Sequence, residues 1–330
     1  MRRILRWGSP VLAAAVLAAV IWRLGSGPFL DGIGALDGRA IGAAAAIILV
    51  TTVCFALRWK TVADGLGLRL SLVDAVAAYY RALFLNLTLP GGVAGDVHRG
   101  IHHGRGEGDL GLALRAVVWE RTAGQVVQVV LATAALLVMP SPLRSSMPFV
   151  ALALVAATAV VVAFVVRART GPGRSRWQRV RDTAVADVRR CLLSRRALPT
   201  VVLASAIAVV GHVLTFVIAA RAVGVTAPLD RLVPLALIST MAMVLPNIGG
   251  WGPREGVTAW AFSAAGLGAG LGAATAVAYG ILVLAASLPG GFVLLLEWLP
   301  RRRRWSPAVL LNWWPRQRPH AARAAIRTTR

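Results

Sequence analysis

The chain has 330 residues, 57% of them hydrophobic and 15% charged, with 36 Lys and Arg against 13 Asp and Glu. So large an apolar share exceeds what one soluble core needs and points to a bilayer as solvent, which excludes a disordered or histone-like basic chain and a soluble nucleic-acid binder. Lys60 is the single lysine and Cys54 and Cys191 are the only cysteines, so neither the arginine bias nor any disulfide framework or CxxC pair defines a site.

In chain order, Arg2, Arg3 and Arg6 precede the apolar run Val11 to Trp22, and no small-x-small cleavage pattern comes after it. Residues 4–24 therefore read as an uncleaved first span with a cytoplasmic amino end. A second span runs from Ala40 to Trp59; the loop before it carries Asp31 and Asp37, and the flank after it carries Arg58, Lys60 and Arg69, which returns the chain to the cytoplasm. A third is expected over Thr122–Met139, led in by the amphipathic stretch LGLALRAVVWER, and a fourth over Pro148–Val166. The stretch 167–197 then holds ten Arg against Asp182 and Asp187 and is read as a cytoplasmic basic loop. A fifth span, Leu198–Ala220, and a last one, Ala269–Leu299, complete the count, the latter ending at Arg301–Arg304. The predicted fold is all-α: a polytopic integral membrane protein with about six full spans in residues 1–300, a basic tail in 301–330 lying disordered against anionic headgroups, and both termini in the cytoplasm.

Two apolar segments resist a simple count. Residues 71–92 contain Asp74, Arg81 and Asn86 and have basic flanks on both sides, so a re-entrant or broken helix satisfies the charge rule better than a full crossing. Residues 228–250 either span or re-enter. Aligned on Pro90 and Pro246, the two place Asp74 and Asp230 sixteen residues upstream, and each continues into a glycine cluster and an arginine: Gly91, Gly92, Gly95, Asp96, Arg99 in one, Gly249, Gly250, Gly252, Arg254, Glu255 in the other. Chance likeness between segments rich in Ala, Leu and Gly is the competing explanation. A true repeat would be inverted, the arrangement of alternating-access transporters, with the substrate where the broken helices meet. Proline and glycine would end one helix at each break, and the next helix start, reinforced by Arg99 or Arg254, would offer an anion site.

Glu120 and Arg121 are expected at the start of the third apolar helix. Adjacent helical residues diverge by about 100°, so pairing across segments is predicted: Arg254 or Arg99 with Glu120, and Arg121 with Asp96 or Glu255. The plainer reading of each charge is an interfacial anchor. His98 and His102 are four apart with His103 beside them, but the glycines around them favour a headgroup contact over a metal site, so no metal and no cofactor is expected. His212 reads as a polar packing residue. No nucleophile elbow, phosphate loop or zinc motif is present, and an enzyme is the minority reading.

NLTLPGGVAGDVHRG, the pair Glu120 and Arg121, and LPNIGGWGPREG together resemble the flippase-like membrane family typified by the transmembrane region of lysylphosphatidylglycerol synthases, over about residues 5–300. The resemblance implies a bacterial inner-membrane protein that moves a phospholipid, glycolipid or polyprenyl-linked lipid between leaflets, with Asn86, Asp96, Arg99, Glu120, Arg121, Arg254 and Glu255 lining the path and Pro90, Gly91, Gly92, Gly95, Pro246, Gly249, Gly250 and Gly252 shaping the helix breaks. The aminoacyl-transferase domain of the best-known members is not expected here. The partners implied are membrane lipids with anionic headgroups; the alternative is a non-transporting scaffold for a cell-envelope transferase.

Overall fold

The computed structural model describes residues 18, 21–156, 176–244, 247 and 250–303. Most of the expected first span, residues 157–166 of the fourth, the tail beyond Arg303, and Pro246 and Gly249 lie outside the described residues.

Among the described residues every regular element is a helix. They are α1 (Gly27–Gly34), α2 (Gly38–Gly65), α3 (Leu72–Thr88), α4 (Ala94–Glu107), α5 (Leu110–Val138), α6 (Arg144–Ala156), α7 (Arg176–Cys191), α8 (Ala197–Ala222), α9 (Leu229–Met241, continued as a 3-10 turn to Val244), α10 (Pro253–Ala264) and α11 (Ala269–Arg303). Four are long and apolar enough to cross a bilayer: α2, α5, α8 and α11 up to Glu297. The chain is an integral membrane protein built on these four.

Each long helix starts where local chemistry allows. Asp37 caps α2 by accepting the Ala40 amide at 2.8 Å, and Asp109 caps α5 by accepting that of Leu112 at 2.8 Å. This second cap revises one expectation. Residues 110–121 are not a separate lead-in; α5 runs unbroken for 29 residues, so Glu120 and Arg121 lie well inside it rather than at its start. At 1.5 Å per residue, they stand about 15 Å along the helix axis from Leu110.

The two irregular segments are broken helices. α3 stops at Thr88, and Gly91 and Gly92 turn the chain with φ of 99° and 64° before α4 begins. α9 stops likewise, and Gly250 and Gly252, at φ 82° and 108°, lead into α10. Only glycine adopts such angles without strain. Gly95 does not break a helix as expected: it lies within α4, where a Cβ would stand 2.1 Å from the Ala82 carbonyl oxygen, so its smallness lets α4 fold back onto α3. Asp74 and Asp230, the matched acids of the two segments, both occupy a first helical turn, where a carboxylate favours the helix dipole.

The stretch read as a basic loop contains α7. Its Ala184, Val188 and Cys191 recur at helical spacing and turn inward; Cys191 packs so closely on α2 that a Cβ on Gly65 would meet its Cα at 2.7 Å. Asp187 accepts the Trp119 indole N–H at 3.1 Å and pairs with Arg115 at 3.3 Å, which fastens α7 to α5. Burial, together with the Asp187 charge, pushes the Cys191 thiol up to about 11.

Two apolar clusters fill the bundle. One gathers Ala44 and Ile48 of α2 with Phe216, Leu232, Phe262 and Leu282. The other gathers Ala56, Trp59 and Val62 of α2 with Tyr79, Ala116 and Val201. Between them α2 presents Thr51 and Thr52, both 2% exposed. α2 and α8 run close along each other there: a Cβ on Gly211 would lie 2.3 Å from the Thr51 methyl. The described residues up to Gly291 belong to one compact unit and those from Phe292 to a second.

Candidate site: an arginine-walled cavity at the helix breaks

The two breaks meet. The Gly91 amide donates to the Asn247 carbonyl at 3.1 Å, and a Cβ on Gly92 would lie 2.8 Å from Asn247 Oδ1. Asn247 Oδ1 itself accepts the Gly250 amide at 2.9 Å, holding the second turn.

Asn86 performs the corresponding task at the first break. Val93, the cap residue of α4, supplies no side-chain bond, and Asn86 reaches across from α3 instead: its Oδ1 accepts the Gly95 amide at 2.7 Å and its Nδ2 donates to Asp96 at 3.1 Å. Asp96 also accepts Arg99 Nε at 3.0 Å and Arg121 Nη2 on both oxygens, at 2.7 and 2.6 Å. Glu120 is wholly buried, accepts Arg99 Nη2 at 2.6 Å, and takes two bonds from Arg58, Nε at 2.8 Å and Nη2. Arg58 reaches on to Ser205 of α8 at 2.9 Å. The predicted pairs Arg99 with Glu120 and Arg121 with Asp96 therefore form.

The prediction that Glu255 would pair away from its neighbour is overturned: Arg254 Nη2 donates to Glu255 Oε1 at 2.7 Å. Their Cα–Cβ directions do diverge, but the Arg254 stem is long enough to curl back. Glu255 is fixed at the same time by its place in the first turn of α10, where Oε2 accepts the Gly252 amide at 2.6 Å.

The motif arginines share one environment. Arg99 lies over the rings of Trp59 and Tyr79, 4.6 and 4.2 Å from their centroids, and Arg254 over those of Trp251 and Tyr279, at 5.4 and 5.2 Å. They differ in what they reach. A cavity of about 240 Å³ opens at the meeting of the breaks, and Arg254 lines it while Arg99 does not. Arg121 takes that place, next in sequence to Arg99's partner Glu120, with 41% of its side chain exposed.

Each helix gives the cavity one face at helical spacing: Thr51, Phe55 and Arg58 from α2, Tyr79, Leu83 and Asn86 from α3, Arg121, Gln125 and Gln128 from α5, Ser205, Val209 and His212 from α8. Of the residues expected from sequence, Asn86, Gly92, Arg121 and Arg254 line it; Asp96, Glu120, Glu255 and Arg99 stand behind that wall as partners. Arg58, Gln125 and Gln128 are site residues that the sequence does not single out, and His212, read there as a polar packing residue, lines the cavity with them. Arg58 reads as an interfacial anchor in sequence because its partner Glu120 is 62 residues away. His212 Nδ1 lies 2.9 Å from the Tyr279 hydroxyl, so it closes part of the wall rather than only packing. His98 and His102 stack on each other with ring centroids 6.1 Å apart, and no group of three or more potential ligands for a metal occurs among the described residues.

Two glycines make room for the cavity arginines. A Cβ on Gly124 would lie 2.4 Å from Arg58 Nη1, and one on Gly280 would lie 2.4 Å from Arg254 Nη2. Gly124→Ala and Gly280→Ala should each displace one guanidinium from its carboxylate. Membrane-inserted protein in both cases, with a fall in thermal stability of about 1–3 kcal/mol equivalent, is the expected result, read by melting in detergent.

Long apolar helices, two broken segments that touch, and a cavity with three arginines in its wall define a polytopic helical membrane protein with a charged site between its helices. The chain belongs to the family described as the lysylphosphatidylglycerol synthase TM region, whose model matches residues 7–291. That membership makes its role one in membrane-lipid biology. No curated protein and no solved structure matches it significantly.

Proposed function

We propose that the protein is a lipid flippase or transporter that carries a lipid headgroup between leaflets of a bacterial cytoplasmic membrane through the cavity at the helix breaks. The observation that carries this reading is the meeting of the two breaks, Gly91 to Asn247, beside a cavity among long apolar helices whose wall includes Arg58, Arg121 and Arg254. Three arginines set into a largely apolar cavity among long apolar helices are costly to desolvate, and intramembrane charges of this kind accompany sites that handle a polar or charged passenger. At about 240 Å³ the cavity suits a headgroup and leaves the acyl chains outside. In this reading the two broken-helix pairs are an inverted repeat, both termini are cytoplasmic, and the network behind the wall holds the site neutral enough to fold.

The test is leaflet exchange of fluorescent lipids in proteoliposomes, comparing wild type with Arg121→Ala and Arg254→Ala at matched incorporation. Protein-dependent exchange that falls at least about tenfold in both variants is expected. Wild-type protein that reconstitutes correctly yet moves none of a panel of phospholipids, glycolipids and polyprenyl phosphates would overturn the transport reading and favour a scaffold acting through basic helix α7.

A further inference from the structure

The wall of the cavity has a sign. Arg58, Arg121 and Arg254 line it, and no Asp or Glu is among its lining residues in the described part of the chain. The three carboxylates that balance them lie behind the arginines, Glu120 and Glu255 with 0% of the side chain exposed and Asp96 with 10%. With Arg99 included, the network around Glu120 and Asp96 and the separate pair Arg254–Glu255 together hold four guanidinium groups against three carboxylates, so one positive charge remains over. The balance is uneven between the two sides: Arg254 is matched by Glu255, whereas Arg58, Arg99 and Arg121 share Glu120 and Asp96.

From this we infer that the cavity selects a lipid whose headgroup carries a single net negative charge, a phosphodiester without an attached amine, and rejects cationic aminoacylated headgroups. The inference rests on the proposed lipid site. A phosphodiester oxyanion entering from the cavity neutralises the surplus charge, while an ammonium would meet guanidinium groups first and find no carboxylate within the lining. The contact falls to Arg121. It is the most exposed of the three arginines whose side chains meet these carboxylates from the wall, and both of its bonds to Asp96 leave from Nη2. Gln125 and Gln128, one and two turns further along the same face of α5, offer neutral donors and acceptors to hydroxyls of the headgroup. Arg254 faces the site from the other break and closes the pair, and two guanidinium groups converging on one phosphate are the usual solution for that oxyanion.

Binding to the full-length protein in neutral detergent tests this without requiring transport. Native mass spectrometry would compare phosphatidylglycerol, phosphatidylcholine and lysylphosphatidylglycerol with matched acyl chains, with inorganic phosphate as a soluble competitor. Phosphatidylglycerol should bind at least about tenfold tighter than either other lipid, phosphate should compete only in the millimolar range, and Arg121→Gln should reduce the preference at least about fivefold while Arg115→Gln, which lies outside the cavity, leaves it unchanged. Equal or tighter binding of lysylphosphatidylglycerol would overturn the charge selection. Competition by phosphate at micromolar concentration would overturn the lipid source and assign a free anion. Because no second leaflet is involved, charge-selective binding without exchange in proteoliposomes would sink transport alone, and exchange indifferent to headgroup charge would sink this inference alone.

Discussion

Glu120→Ala is expected to be the most damaging single substitution in the chain. The carboxylate is wholly buried and accepts from both Arg58 and Arg99, so its removal leaves Arg58 inside the bundle with no carboxylate and Asp96 alone to serve Arg99 and Arg121. Breaking a buried pair from one side costs about 3–5 kcal/mol because the surviving charge stays desolvated, whereas removing both sides in favour of apolar groups is close to neutral. The single variant should therefore lose on the order of 10 °C of apparent melting temperature in detergent, with much of it aggregated. Glu120→Met combined with Arg58→Met should recover a large part of that loss, because Arg99 keeps Asp96. A double variant as unstable as the single one would mean that the stability comes from packing at position 120 and not from charge balance.

The second large effect belongs to Glu255, which does two jobs with two oxygens. Oε1 holds Arg254 and Oε2 accepts the Gly252 amide at the start of α10. Glu255→Gln keeps an oxygen for the amide and loses the charge; Glu255→Ala loses both. The expected order of thermal stability is wild type, then Gln, then Ala, with the step from Gln to Ala worth about 1 kcal/mol, the usual value of a helix cap, and the step from wild type to Gln several times larger. Equal melting of the Gln and Ala variants would remove the cap from the account. Hydrogen exchange at the Gly252 amide gives a second reading, since only Ala should expose it.

The helical class, the long spans among the described residues, both broken segments and the motif charges are legible in the sequence because each of them is local. Apolar runs, proline followed by glycines, and acids next to arginines are visible within a window of a few residues. Distance in the chain conceals the rest. Arg58 looks like a membrane-edge anchor until α5 brings Glu120 beside it, and the exchange of roles between Arg99 and Arg121 comes from how α4 folds onto α3 at Gly95, a packing fact with no spacing rule. LGLALRAVVWER is less apolar than the residues after it, which suggests a helix start at Glu120. A helix in water and one in lipid have the same backbone, however, and Asp109 starts this one three turns earlier. Cα directions alone keep Arg254 and Glu255 apart, and only the reach of the arginine stem brings them together.

The bond from the Gly91 amide to the Asn247 carbonyl is made by main-chain atoms alone. No side-chain replacement at position 247 deletes it directly, although the Asn247 side chain separately holds the second turn through the Gly250 amide. What cannot vary is spacing. Inserting or deleting one residue between Pro90 and Ala94, or between Asn247 and Pro253, would slide the two breaks out of register and separate the halves of the molecule at the place where they touch. The constraint is therefore on loop length, and tolerance to insertion at these two short stretches should be low.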